Sequence, residues 1–134
     1  MIAPQWPFAL HAVVETAAAL SFIFTPEKQL PGCSPAAKLI LRQYGGLLLS
    51  SNAVCLAVLL EPGFGHTSRL IAAGLGTYHI WPCYRACMRL RSDSIGPRHE
   101  AASLTLGGPA FHLAVHLVCF GMFMFVVAFG DGSR

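Results

Sequence analysis

The chain has 134 residues, of which 54% are hydrophobic and only 11% charged, whereas an average soluble domain carries about 25% charged residues. With a positive mean hydropathy, that is a membrane composition on a length that suits one compact helical domain and leaves no room for a second. The net charge of +3 is small and scattered, and no aromatic and basic residues interleave, which sets nucleic acid aside as a partner.

The first apolar run, 8–25, reads FALHAVVETAAALSFIFT and carries His11 and Glu15 four residues apart, on one helical face. A carboxyl group at membrane depth costs a few kcal/mol even on lenient insertion scales (~3 for the comparable Asp), so this face is expected to meet protein or water, not lipid. Glu15 also interrupts the hydrophobic core that a signal peptide needs, and no positive residue precedes the run, so a retained span is expected. Trp6 and Pro7 suit an interfacial anchor and a first helical turn. The connector TPEKQLPGCSP that follows is built from helix breakers.

The second run, 39–60, has Arg42 and Gln43 near its start and Asn52 near its middle. Its Gly45, Gly46, Ser50 and Ser51 are small residues of the kind that let another membrane helix approach closely. After a Pro- and Gly-containing turn, the third run, 69–89, is less apolar, with His79 near its middle and Pro82 expected to kink it. Ala72, Gly76, His79, Cys83 and Ala86 fall on one face of that run. A polar, breaker-rich connector leads to the fourth run, 109–129, with His112 and His116 again four apart.

The expected fold is therefore all-α: an integral membrane four-helix transmembrane bundle over 1–134. Lys28, Lys38, Arg42, Arg85, Arg89, Arg91 and Arg98 fall on one side of such a bundle, against Arg69 and Arg134 on the other. The positive-inside rule then places both termini outside the cytosol, in the lumen if the membrane is that of the endoplasmic reticulum. At a rise of about 1.5 Å per residue, Glu15, Asn52, His79 and His116 each come within roughly one turn of the midplane. His112, Arg42 and Arg85 form a level toward the cytosol, and His11 lies toward the other side.

Burial favours the neutral form of a carboxyl group and a neighbouring imidazolium favours the charged form, opposed pulls that suit proton transfer near neutral pH. The leading expectation is a membrane isomerase or cyclase acting by general acid–base chemistry on an apolar terpenoid, sterol or polyketide. In it Glu15 exchanges protons with the substrate together with His79 or His116, Asn52 orients the substrate, and His11, Tyr78, Trp81, Arg42 and His112 line its site. The same polar residues serve equally as hydrogen-bonding glue between helices, at about 0.6–2 kcal/mol per contact.

The alternative class is a non-catalytic membrane protein. It would bind a metal or haem through His112 and His116, with Glu15 or His79 completing the ligands, or act as a proton-coupled or accessory subunit that pairs with copies of itself or with pathway enzymes. The EF-hand, HExxH and CxxCH patterns are absent, so no cofactor is expected. Cys33, Cys55, Cys83, Cys87 and Cys119 lie mostly in apolar runs, where a thiol behaves as a small hydrophobe, and give no disulfide framework. Gly74 and Gly76 lack nucleotide-loop spacing, and Ser50, Ser51 and Ser103 lack a nucleophile elbow.

The segments HAVVE (11–15), RQYGGLLLSSN (42–52), YHIWP (78–82) and GGPAFHLAVH (107–116) resemble small four-span membrane proteins of filamentous fungi, over most of the chain. The resemblance implies an association with secondary-metabolite pathways and carries no established activity. Locally, His11 and Glu15 resemble the His-xxx-Glu on a membrane helix of the emopamil-binding, sterol-isomerase-like family. That likeness covers five residues without the family's further acidic positions, and implies a mechanism by analogy only.

Overall fold

The computed structural model of the chain describes residues 4–95 and 108–130. Arg98, Ser103, Gly107 and Arg134 lie outside the described residues. The described residues are helical, without strands, and the chain divides into two compact units, Met1–Pro62 and Gly63–Arg134.

The first unit is a helical hairpin of α1 (Trp6–Phe24) and α3 (Pro35–Leu60), joined through the single turn α2 (Pro26–Gln29). Pro7 starts α1, where its fixed φ suits a first helical turn. Pro26 ends it, because the residue before a proline is driven out of the helical region; Thr25 there has φ −133°. The N–H and hydroxyl of Thr25 both donate to the Ser21 carbonyl, at 3.0 and 3.2 Å. Gly32, at φ +72°, turns the chain back through a left-handed conformation that a side chain would resist. Ser34 then caps α3, its hydroxyl accepting from the Ala37 N–H at 3.2 Å.

An ion pair between Glu27 and Lys38 joins α2 to α3, and the hydrogen bond from Lys38 holds the Glu27 carboxyl below its ordinary pKa. Both groups are open to water, so the pair is a screened surface contact.

α1 buries Phe8, His11, Glu15, Ala19 and Phe22, a stripe at steps of three and four. α3 buries Gly45, Leu48, Cys55 and Val58. Gly45 is where the two backbones approach: a Cβ there would stand 2.7 Å from Ile23 Cγ1 and 2.9 Å from the Ala19 carbonyl oxygen. Gly46, equally promising in sequence, meets nothing within 4 Å. One helical step separates a glycine that sets helix contact from one on the outer face.

In the second unit α6 (Gly108–Phe129) packs along both α4 (His66–Tyr78) and α5 (Ile80–Ile95). Sequence reading expects one helix over 69–89; the structure has two, broken at His79. Pro82 supplies the cause, since it has no N–H to offer the Tyr78 carbonyl. The break is tight: the His79 N–H bonds to the Gly76 carbonyl at 3.0 Å, and the Cys83 N–H bonds to the His79 carbonyl at 3.2 Å.

A single buried stripe of Ser68, Ala72, Gly76, His79, Pro82 and Ala86 therefore runs through both helices. It includes all the small-face residues expected from sequence except Cys83, which is half-buried. Gly76 sits against Phe123 and Met124 of α6. At the other end of α4, Arg69 Nη2 donates to the Val127 carbonyl at 2.6 Å, satisfying an acceptor in the last turn of α6.

α1, α3 and α6 are long and apolar enough to cross a membrane. α4 and α5, with 13 and 16 residues, are each shorter than the ~20 residues a crossing needs. The outward faces are apolar, with Val13 71%, Leu39 66% and Phe129 70% exposed, while His11, Glu15, His79 and His116 are buried. That inversion of the usual soluble arrangement is what a lipid surround selects.

Replacing Gly45 by Leu is expected to destabilise the hairpin by about 1–3 kcal/mol through overpacking. The same change at Gly46 should stay within about 0.5 kcal/mol, as surface substitutions do. Unfolding of the two variants in mixed detergent micelles measures the difference.

Candidate functional site

The break between α4 and α5 places His79 on the face turned to α6, where it is fully buried. His116, at the start of the buried stripe of α6, is 7% exposed. Their Nδ1 atoms lie 2.9 Å apart. Two imidazole nitrogens on one tetrahedral zinc, each about 2.0–2.1 Å from the ion, would stand about 3.3–3.4 Å apart. The observed separation is that of an N–H···N hydrogen bond. One ring therefore carries a proton on Nδ1 and the other presents a lone pair there, whichever of the two donates.

Aromatic rings surround this pair. Phe123 stacks on His79 at 5.8 Å between ring centres, and Tyr78 meets it edge-on at 5.2 Å. His112 lies nearly parallel to His116 at 6.5 Å. The Phe123 ring gives the pair an apolar wall, which strengthens a hydrogen bond beside it.

The hairpin of the first unit holds the other polar residues. His11 Nε2 is 3.1 Å from Ser51 Oγ, and that hydroxyl donates to the Leu48 carbonyl at 2.7 Å. With the hydroxyl's one hydrogen so used, His11 is the donor, protonated on Nε2. Glu15 lies one turn along α1, 1% exposed, and one of its oxygens is within 4.8 Å of a ring nitrogen of His11. Beside it, Asn52 Nδ2 donates to Thr16 Oγ1 at 2.8 Å. The buried Asn52 Oδ1 has no hydrogen-bond partner among the described residues.

Of the midplane residues expected from sequence, His79 and His116 are thus in direct contact within the second unit. Glu15 and Asn52 occupy facing helices of the first. Tyr78 borders the histidine pair, and His112 is half-buried beside it. Trp81 is turned outward, 71% exposed. Arg42 donates from Nε to the Ile23 carbonyl at 3.3 Å, which satisfies an acceptor at the C-terminal end of α1 where a cation is favoured.

Thr16, Phe123 and the hydroxyl of Ser51 are the partners that sequence reasoning missed. Thr16 follows Glu15 directly, and Ser51 was visible only as a small residue. Which helix each would face is decided by the pairing of helices, a property that spacing along one chain segment does not carry. Compared with protein-family models, curated proteins and solved structures, the chain matches none.

The histidine pair makes an energetic prediction. Changing His79 or His116 alone to Phe should cost about 1–3 kcal/mol, because each leaves a buried polar nitrogen behind. Changing both should cost less than the sum, with a coupling of about 0.6–1.7 kcal/mol, the range for interhelical hydrogen bonds in membranes. A double-mutant cycle on unfolding in micelles reads this directly; strict additivity would mean that the two rings do not bond.

Proposed function

We propose that the protein is a multi-pass membrane isomerase or cyclase whose buried histidine pair exchanges protons with an apolar terpenoid, sterol or polyketide. The observation that carries the reading is the Nδ1 to Nδ1 separation of 2.9 Å between His79 and His116. A ring that donates to its neighbour in apolar surroundings can pass a proton on and take one back, which is the work of a general acid and base.

In this reading α4 and the first part of α5 together form a fourth crossing. Residues 66–84 would span about 28 Å at 1.5 Å per residue, close to the thickness of a bilayer core. A broken helix at membrane depth is tolerated where it is buried in protein or lines a cavity, and the break falls at His79. Glu15 and His11 supply a second titratable couple, and Asn52 Oδ1 is an acceptor that can orient a substrate hydroxyl. The distribution of Lys and Arg favours termini outside the cytosol, in the lumen if the membrane is that of the endoplasmic reticulum.

The non-catalytic reading draws on the same bonds. His11 to Ser51, Asn52 to Thr16 and His79 to His116 all join helix to helix, as polar glue would. Turnover separates the two. Purified in mild detergent and offered terpenoid, sterol and polyketide substrates in deuterated buffer, the protein is expected to shift a double bond or close a ring in one of them, with solvent deuterium in the product. His116→Gln and Glu15→Gln should each lower that rate by about 10²–10⁴, the usual contribution of a positioned acid or base, while remaining folded. Turnover unaffected by these changes, or none with any substrate, contradicts acid–base chemistry at this site.

A further inference from the structure

The outward face of α5 changes character along its length. Ile80, Trp81, Tyr84 and Met88 are exposed at 50%, 71%, 59% and 42%. Arg85 and Arg91, also exposed, and the half-buried Arg89 take over toward the C-terminal end. Tyr84, Met88, Trp81 and Arg85 follow one another around the helix, with the half-buried Arg89 at the edge of that arc, next to the buried side. The opposite side, with Pro82 and Ala86, is buried.

This order places amphipathic rings next to cations, the sequence of groups met on leaving a bilayer core through its headgroup layer. α4 and α6 have no acidic residue in their sequences, and Asp93 is the one acidic residue of α5. The basic groups also gather between elements, since Arg85 and Arg89 both act electrostatically on His112, in the second turn of α6. The first turn of α6 has no acidic residue, so the partial positive charge of its N-terminus adds to the arginines.

We infer that Arg85, Arg89 and Arg91 form a headgroup site for an anionic phospholipid, with Trp81 and Tyr84 seated beside them at the membrane interface. A guanidinium binds a phosphate diester through paired N–H donors, and the rings and the Met88 side chain lie against the glycerol and upper acyl region. The site is separate from the histidine pair and does not depend on what that pair does.

The test uses Trp81 as its own reporter. In a Trp6→Phe background Trp81 is the sole tryptophan. The protein is reconstituted in phosphatidylcholine vesicles containing an equal small fraction of brominated phosphatidylserine or brominated phosphatidylcholine. Each arginine near an anionic surface is worth roughly five-fold in binding, so the brominated phosphatidylserine should quench Trp81 several-fold more strongly per molecule. That preference should fall as salt is raised and vanish in the Arg85→Gln/Arg89→Gln/Arg91→Gln variant. Equal quenching by the two lipids in the parent protein overturns the inference without recourse to any arginine variant, as does a preference that survives high salt. Quenching by neither lipid would place Trp81 away from the bilayer and overturn it too.

Discussion

A polar side chain on an apolar helix has nowhere to turn except another helix, because the surrounding lipid can neither donate nor accept a hydrogen bond. The structure follows from that constraint. His11, Glu15, His79 and His116 are buried on the stripes where their helices pack, while Val13, Leu39 and Phe129 lie outward. The strongest expression is the His79–His116 contact, where two imidazoles satisfy one another within an aromatic enclosure. Such a bond orders the helices that carry it.

Close approach makes those contacts reachable. Gly45 brings the backbone of α3 against α1, near enough for Ser51 to meet His11 and for Asn52 to meet Thr16 on the next turns. Gly76 does the same between α4 and α6, one turn before His79. The break at His79 preserves the stripe across two helices: Ser68 to Ala86 stay on one face because the chain passes through a single tight residue without leaving its path. Proline 82 thus weakens the hydrogen-bond ladder beside a histidine that finds its partner on another helix.

Much of this is legible in the sequence. The three apolar helices follow from run length and hydropathy, and the end of α1 from Pro26, whereas α3 begins at Pro35, inside the stretch that reads as a connector of helix breakers. Pro82 reads as a kink, and steps of three and four pick out the face holding Ala72, Gly76, His79 and Ala86. Less legible was which of two adjacent small residues would face a neighbour: Gly45 does and Gly46 does not, a difference of about 100° around the helix axis that depends on helix rotation. The outward turn of Trp81 has the same origin. Serine 51 and Thr16 were hidden for another reason, since a hydroxyl has no sequence signature until its acceptor is known.

One proton is shared between the Nδ1 atoms of His79 and His116, 2.9 Å apart. Nitrogen-15 nuclear magnetic resonance of histidine-labelled protein in micelles at neutral pH reads it, with His79→Phe and His116→Phe supplying the assignments. The structure predicts one ring protonated at Nδ1, the other bare at Nδ1, and a scalar coupling between the two nitrogens across the hydrogen bond. Two rings both bare at Nδ1 and protonated at Nε2, with no coupling between them, would contradict it.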